Sequence, residues 1–444
     1  MERIRRVSGA GGLAGVRAAV RGRRRTARQD PLPRLALGAA GGPDGRHVAP
    51  HRHGPWFPAS VLVALSALPL VFAALQKNNC IEGGWRSPNL IWRMCYSDPV
   101  VRWTSSGMNT GAFPWSGPES ALPNVPPLRA GLLWLVGVPA GAFPVGAEQQ
   151  VYFALWVVLL VVALAALVVA VVDWARTDGS DPWVAAHVAL SPLLVPLLLV
   201  SDLLVWVALA VWGCVLWRRG RPASSAVAGA LWVLAVTGLP VLGVLAVVSV
   251  AARPAQLRSA WLPMLLTAAV VLVPWAVWNP ESLRGLAFWQ ASSGHGGVWS
   301  IVAGVGAARA DWAVQVVAGG GALLGCLVGG LLVRRAANGR EVGAALGAGL
   351  LIAVALQPEV PTQMGLVALP FLALAGLRWR EHLAWVVMEG FHFVFVWMHI
   401  GRGSNDRVGM PEDGYAVVVA ARLAVWVVLI ALFAVRSSRG ERLQ

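Results

Sequence analysis

The sequence has few charged residues and lacks the common motifs of soluble enzymes. Only 13% of its 444 residues are Asp, Glu, Lys or Arg, whereas 57% are hydrophobic. This composition excludes an ordinary soluble domain. No P-loop, Rossmann glycine fingerprint, HExxH or CxxC pattern occurs, so neither nucleotide-dependent nor metal-hydrolase chemistry is indicated. We therefore expect no cofactor and no metal site.

Long apolar runs are what the sequence has in abundance. Uncharged stretches of roughly 17 to 22 residues recur along the chain, which is the length that a helix needs to cross a bilayer. They predict an all-α polytopic membrane protein with about twelve transmembrane segments. The net charge of +15 does not indicate nucleic-acid binding, because much of it lies near the N-terminus and in short loops, where excess Arg marks the cytoplasmic side.

Residues 1–55 and 56–444 have different compositions. The first segment holds twelve arginines against three acidic residues and is rich in Gly, Ala and Pro, which is typical of a disordered cytoplasmic tail. Two roles for it are open, a solvated tail or a basic arm that binds anionic lipid. The second segment is predicted to be one transmembrane domain of the plasma membrane with both termini in the cytoplasm.

The charge rule also orients the loops. A first span over 56–75 that starts inside places the polar stretch 76–127 outside. If the short apolar run 128–143 crossed the membrane, the basic cluster 218–221 would fall outside, so we interpret that run as an interfacial helix. A span over 184–200 and a second external loop over 279–312 follow from the same reasoning.

The external stretch 76–127 carries the strongest candidate for chemistry. Asp98 follows Tyr96 and Ser97, and such a carboxylate can act as a general base that takes a proton from a hydroxyl. Because Pro99 comes next, Asp98 can instead simply cap a turn. Cys80 and Cys95 lie in the same stretch, where they form either a disulfide or two free thiols.

Other ionisable residues lie within or beside the apolar spans. Asp202 either caps a helix or faces a cavity. Glu389 and His392 share one face of a span, and groups at that depth usually face a polar cavity or each other. Arg422, inside the last span, either pairs with Glu389 or binds an anion such as a lipid phosphate. His295 lies in the second external loop without partner ligands, which is weak support for a metal.

Aromatic residues are concentrated in the predicted external loops. Most of the 23 tryptophans fit interfacial belts. Five of them lie in the external loops, where they can stack on a sugar or a prenyl chain: Trp85, Trp92, Trp103, Trp115 and Trp299.

Together these motifs resemble a known family. The order Cys80, Trp85, Cys95-Tyr96-Ser97-Asp98, Gly107, Gly111 and Pro114-Trp115 is similar to the first external loop of glycosyltransferase family 87. Members of that family are polyprenol-phosphate-mannose-dependent mannosyltransferases with the GT-C membrane fold. The resemblance continues along nearly the whole chain after residue 56, with Asn124, Asp202, Gln363 and Glu389 at family motif positions.

The resemblance implies a GT-C-like hexosyltransferase. It would transfer a sugar, mannose by analogy, from a polyprenyl-phosphate donor to a glycolipid or glycan of the cell envelope on the outer face, among membrane lipids. Asp98 would be the base. The residues expected to bind donor or acceptor are Tyr96, Trp103, Trp115, Asn124, Asp202, His295, Trp299, Gln363, Glu389, His392 and Arg422.

The chain departs from the family pattern at several of these positions. Asn124 replaces a Glu, Ser106 an Arg, Thr237 a Lys and Met364 an aromatic residue. These changes affect the usual donor and acceptor contacts. Besides a divergent enzyme, a catalytically weak relative or a lipid-linked sugar transporter or binding protein is therefore open.

Overall fold

A computed structural model describes residues 54–120, 122, 124–144, 146–287, 294–405 and 407–437. All the regular structure in this part of the chain is helical. Except for its last two residues, the tail predicted over 1–55 lies outside the described residues, as does the middle of the second external loop.

The helices of the first half of the chain surround the predicted external stretch. In chain order they are α1 Phe57–Leu65, α2 Ala67–Gly83, α3 Asn89–Trp92, α4 Asp98–Ser105, α5 Pro127–Ala140, α6 Glu148–Thr177, α7 Ala186–Ala189, α8 Leu194–Leu197 and α9 Leu203–Arg218. Helix α2 continues to Gly83, well into the stretch 76–127 that was predicted to be a loop. It ends where Gly84 adopts a left-handed conformation with φ of 71°.

The second half of the chain adds longer helices. These are α10 Pro222–Gly238, α11 Gly243–Ala252, α12 Leu257–Trp278, α13 Val298–Gly304, α14 Asp311–Arg335, α15 Gly339–Ala355, α16 Gly365–Leu374, α17 Trp379–Gly401 and α18 Glu412–Ser437. Short 3₁₀ turns link several of them, including Pro280–Leu286 and Thr362–Met364.

Six helical segments of the described chain are long and apolar enough to cross a membrane. They are Phe57–Gly83, Glu148–Thr177, Pro254–Trp278, Asp311–Arg335, Trp379–Gly401 and Glu412–Ser437. Five shorter apolar helices accompany them. One of these is α5, which at 14 residues is about 21 Å long, less than the ~30 Å of a hydrocarbon core.

One predicted span is wrong in detail. The run 184–200 is not a continuous helix, because it is divided into the 3₁₀ turn Pro182–Ala185, α7 and α8. Ser191-Pro192 separates α7 from α8, and proline cannot continue the hydrogen-bond ladder of a helix. The break leaves the carbonyl of Val200 free to accept a hydrogen bond from outside its own segment.

The centre of the bundle is formed by helices that are apolar on every side. All ten residues of α16 are buried, and α9 and α15 are mostly buried too. By contrast, only 6% of the most apolar part of the Pro254–Trp278 segment is buried. A helix that is hydrophobic all round is stable either in a protein core or against lipid, and this molecule has both kinds.

Candidate functional site

Several contacts fix the segment that carries Asp98. A disulfide joins Cys80 near the end of α2 to Cys95, with 5.8 Å between the two Cα atoms. The buried Lys77 donates a hydrogen bond to the carbonyl of Tyr96 at 2.8 Å. The backbone N–H of Asp98 donates to the carbonyl of Val200 at 2.7 Å. Asp98 is therefore held between α2 and the segment that precedes α9.

The carboxylate of Asp98 accepts hydrogen bonds at both oxygens. Oδ1 accepts from the Tyr96 hydroxyl at 3.0 Å and from Nε of Arg102 at 2.8 Å. Oδ2 accepts from Nη2 of Arg129 at 2.7 Å. Burial opposes ionisation of Asp98, but the two arginines and the hydrogen bonds outweigh it, so the pKa of Asp98 lies below its ordinary value. Asp98 is thus held in its ionised form.

Arg129 links this carboxylate to a second one. Its Nε lies 2.8 and 2.9 Å from the two oxygens of Asp202, and its Nη2 lies 2.6 Å from Oδ1. Nε1 of Trp206, one turn further along α9, donates to Oδ2 of Asp202 at 2.7 Å. Arg102, Asp98, Arg129 and Asp202 therefore form a continuous chain of alternating charge, which avoids the cost of an unpaired buried ion.

This charged chain forms one wall of a cavity of about 350 Å³. A second wall is largely apolar and comes from α3 and α17. It includes Leu90, Ile91, Val396, Trp397 and Ile400. The rings of Tyr96 and Trp397 meet here, with centroids 5.3 Å apart. The cavity thus places polar groups beside an aliphatic surface, a combination that suits an amphiphilic ligand.

The third wall carries His295, Glu359, Thr362 and Gln363. Glu359 is an exposed residue in the lining of this cavity, and partial desolvation by the surrounding protein raises the pKa of its carboxyl group. Burial, together with the neighbouring His399, lowers the pKa of His295.

A buried ion pair outside the cavity holds this third wall. Arg422 and Glu389 both have fully buried side chains, with 3.0 Å between Nη2 and Oε2. Nη1 of Arg422 also donates to the carbonyls of Gly296 and Val360, at 3.3 and 2.5 Å. Since these carbonyls flank His295 and Glu359, Arg422 connects α17 and α18 to the segments that carry both residues.

The structure brings together five of the residues predicted from the sequence. Asp98, Tyr96, Asp202, His295 and Gln363 all line the cavity. Asp202 does not accept a hydrogen bond from the first turn of α9 as a helix cap would. Its carboxylate binds Arg129 and Trp206 instead.

Other predicted residues lie away from the lining. Trp103 stacks on Tyr152 at 4.3 Å inside the core, and Trp115 packs against Trp275 at 5.5 Å. Trp299 is 7% exposed, and Asn124 is an exposed turn residue with φ of 63°.

The polar residues predicted on α17 and α18 also lie outside the lining. His392 is hydrogen-bonded to the Tyr415 hydroxyl at 3.1 Å. Arg422 and Glu389 bind each other. Of the two roles left open for Arg422, the structure shows the pairing with Glu389. Arg422 is not among the residues that line the cavity.

Sequence reasoning missed three charged residues of the site. Arg129 follows two prolines at the start of an apolar helix predicted to lie on the outer side. The rarity of Arg on that side was a usable signal. Arg102 lies four residues after Asp98, the spacing that pairs opposite charges on a helix. Glu359 stands between Pro358 and Val360 in a connection, and no local pattern distinguished it.

The chain matches no protein-family model and no curated protein. The composition, the all-helical described structure and the six long apolar segments define a helical, membrane-embedded protein. A cavity in the described part of the chain is lined by both charged and aliphatic side chains.

Proposed function

We propose that this protein is an integral-membrane glycosyltransferase that moves a sugar, mannose in the first instance, from a polyprenyl-phosphate donor to a hydroxyl of a cell-envelope glycan or glycolipid. The observation that carries the proposal is the environment of Asp98. Its ionised carboxylate lies in a cavity between two arginines, opposite an aliphatic wall. We further propose a GT-C-like arrangement of about twelve membrane segments, in which the shorter apolar helices complete the count.

The charged wall supplies the two functions that glycosyl transfer needs. Asp98 accepts the proton of the acceptor hydroxyl as its oxygen bonds to the anomeric carbon. The bond from that carbon to the phosphate oxygen breaks, and the electron pair leaves with the phosphate. The side chains of Arg102 and Arg129 are 35% and 18% exposed and both line the cavity, so they can stabilise the departing anion.

The aliphatic wall supports a lipid-linked donor. A nucleotide sugar has no long apolar portion, whereas a polyprenyl phosphate has one next to its charged group. Leu90 and Ile91 from α3, with Val396 and Ile400 from α17, provide apolar surface beside Tyr96 and Asp98. The first prenyl units would lie along these side chains, and the sugar would lie toward the carboxylates.

The distribution of arginine supports an outward-facing cavity. Helix α9 starts beside Asp202 and ends at Arg218, about 24 Å away at 1.5 Å per residue. Arg218 pairs there with Asp178, and Arg219 pairs with Asp173. Because Arg is enriched on the cytoplasmic side, the cavity end of the bundle would face out.

One observation favours a second candidate, a lipid-linked sugar-binding protein or a catalytically weak relative. Asp98 already accepts three hydrogen bonds, which limits the lone pairs that it can offer to an acceptor hydroxyl. In this alternative Asp98 would hold the two arginines in place. Loss of its charge would then reduce donor binding in a protein that does not transfer sugar.

The test uses the full chain purified in detergent and reconstituted into liposomes. Transfer of radiolabelled mannose from polyprenyl-phosphate mannose to an envelope glycolipid extract is compared for wild type, Asp98→Asn and Asp173→Asn. The last variant is the matched control, because it removes an equally buried carboxylate from an ion pair at the other end of the bundle.

We expect transfer by wild type and by Asp173→Asn, with a loss of about 10²-fold or more in Asp98→Asn. Equal transfer by Asp98→Asn would remove Asp98 as the base. Binding of the donor by wild type without transfer would favour the sugar-binding alternative.

A further inference from the structure

Glu359 differs from the other two carboxylates of the cavity in having no partner. Asp98 and Asp202 are both bound by Arg129. No described residue gives the Glu359 side chain an ion pair or a hydrogen bond, although it lines the same cavity. The carboxylate is therefore not committed to any described partner, although Oε2 packs against the backbone of Gly294.

The backbone around Glu359 is fixed on both sides. The N–H of Gly294 donates to the carbonyl of Pro358 at 3.2 Å, and the N–H of Val360 donates to the carbonyl of His295 at 3.1 Å. Nη1 and Nη2 of Arg422 donate to the carbonyls of Val360 and Pro361, at 2.5 and 3.4 Å. The backbone that carries the Glu359 side chain therefore has a defined position at the cavity.

Close packing at Gly294 limits where the Glu359 side chain can lie. A Cβ atom at position 294 would overlap Oε2 of Glu359 and would come within 2.7 Å of its Cβ, a distance that unbonded carbon atoms do not adopt. Because residue 294 is glycine, the Glu359 side chain can pass directly over its backbone. The position of the Glu359 side chain therefore depends on a glycine at position 294.

The environments of Glu359 and Asp98 shift their pKa values in opposite directions. Desolvation, assisted by the charge of Asp98, raises the pKa of Glu359 even though Arg102 and Arg129 oppose the shift. Arg102 and Arg129 lower the pKa of Asp98. Two carboxyl groups of one site whose pKa values are pushed apart are suited to act as acid and base in the same reaction.

We propose that Glu359 is the general acid of the cavity and donates a proton to the phosphate that leaves the sugar, while Asp98 takes the proton of the acceptor hydroxyl. This inference rests on the function proposed above and adds a second catalytic residue to it. The feature that carries it is an unpaired carboxyl group on a fixed backbone, in the cavity that Arg102 and Arg129 also line.

The proton count balances within one turnover. The acceptor O–H bond breaks and its proton goes to Asp98, while the acceptor oxygen bonds to the anomeric carbon. The bond from that carbon to the phosphate oxygen breaks, and the resulting phosphate monoester takes the proton of Glu359. A phosphate monoester has a second pKa of about 6, so it accepts this proton in the site and releases it to water near neutral pH once the product leaves. Transfer of the proton from Asp98 to Glu359 then restores both groups.

Charge gives a second reason for a protonated Glu359. The departing phosphate gains a negative charge as the glycosidic bond breaks, and an ionised Glu359 would repel it. A neutral carboxyl group donates a hydrogen bond to the same oxygen. His295 is the other titratable group on this wall. Since burial and His399 keep its pKa below the ordinary value, it is a neutral imidazole where the enzyme would work.

The test measures kcat and KM for transfer from polyprenyl-phosphate mannose as a function of pH, with wild type, Glu359→Gln, Glu359→Asp and His295→Gln. We expect the wild-type rate to fall on the alkaline side, where Glu359 loses its proton. In Glu359→Gln, kcat should fall about 10²-fold or more with little change in KM, and the remaining rate should lack that alkaline limb. Glu359→Asp should keep part of the rate and the limb. The rate of His295→Gln, even if it is lower than that of wild type, should still fall on the alkaline side, because Glu359 is intact in this variant.

Unfolding in detergent provides a check on the variant itself. The raised pKa of Glu359 means that its ionised form is unfavourable in the folded state. The contribution of protonated Glu359 to the free energy of unfolding is complete below the unfolded pKa of about 4.3. This contribution is lost as pH rises through the higher folded-state pKa. We therefore expect Glu359→Gln to be at least as stable as wild type at pH 7, and a measurement of that stability would exclude misfolding as the cause of a lost rate.

Three results would overturn the assignment. These are an unchanged kcat in Glu359→Gln, a rise in KM alone, and an alkaline limb that persists in Glu359→Gln. If wild type transfers sugar and Asp98→Asn does not, such a result refutes only the role of Glu359. If wild type transfers no sugar, the proposed function itself fails and the role of Glu359 fails with it.

Discussion

Arg129 holds Asp202 through two nitrogens, with Nε 2.8 Å from Oδ1 and Nη2 2.6 Å from the same oxygen. The two residues are 73 positions apart in the sequence, so this contact joins α5 to the start of α9. Because Nη2 also binds Asp98, a single guanidinium is shared by two buried carboxylates, and Arg102 supplies the second positive charge.

The first prediction concerns the loss of this shared cation. Arg129→Gln should lower the free energy of unfolding by about 3–5 kcal/mol, because it leaves buried carboxylates without their partner. Arg102→Gln is the matched control, since its guanidinium is 35% exposed and such pairs contribute less than about 1 kcal/mol. Denaturation in detergent micelles, followed by tryptophan fluorescence, measures both. Equal losses in the two variants would contradict the bridging role of Arg129.

The pair of Arg422 and Glu389 gives the second prediction. Each single change, Arg422→Met or Glu389→Gln, should cost about 3–5 kcal/mol, because it leaves an unpaired charge or donor group in a fully buried place. The double variant should cost less than the sum of the two, which a double-mutant cycle measures.

A role in positioning separates Arg422 from a purely structural residue. Since it binds the carbonyls beside His295 and Glu359, the double variant should regain stability without regaining sugar transfer. Recovery of both together would show that the carbonyl contacts do not matter for the cavity.

The third prediction is a pH dependence of stability. The folded-state pKa of Asp98 is lowered, so its contribution is present above the unfolded pKa of about 3.9 and is lost as pH falls through the lower folded-state value. The difference in Tm between wild type and Asp98→Asn should be constant from pH 7 to pH 5 and should shrink below about pH 4. A difference that stays constant down to the most acidic condition would contradict the lowered pKa.

The fourth prediction concerns the disulfide. Cys80 and Cys95 are separated by 15 positions, and closing a loop of that size contributes about 3 kcal/mol in the chain-entropy model. The double variant Cys80→Ser/Cys95→Ser should lose stability of that order and should no longer respond to reductant. Cys326→Ser is the control, because Cys326 is a free thiol. A wild type that is indifferent to reductant would indicate that the disulfide contributes nothing.

Much of the helical framework could be predicted from apolar runs alone. The segments Glu148–Thr177, Asp311–Arg335 and Glu412–Ser437 coincide with apolar runs whose length predicts spans, although the last of them contains Arg422. The run 184–200 misled because it is predominantly apolar, while Pro192 stands at the break between α7 and α8. Apolar composition predicts that a segment is buried. The positions of its prolines predict whether it can form one continuous helix.

The site was only partly predictable, because its charges are paired over long distances. Asp98 and Asp202 were found as carboxylates in unusual places. Arg129 was missed because a single Arg in the first turn of an apolar helix can also extend its charged group to the lipid surface. Trp103 and Trp115 were expected to bind a ligand, yet they pack against Tyr152 and Trp275. Residue type alone cannot separate a stacking platform from a core aromatic residue.

The bonds of Arg422 have a consequence for how the protein is made. A charged side chain is costly in a bilayer, so α18 is best accommodated after α17 has presented Glu389 to it. The carbonyls of Gly296, Val360 and Pro361 find their donor only at that moment. The wall that carries His295 and Glu359 is therefore fixed only when α18, the last helix described, has packed against α17.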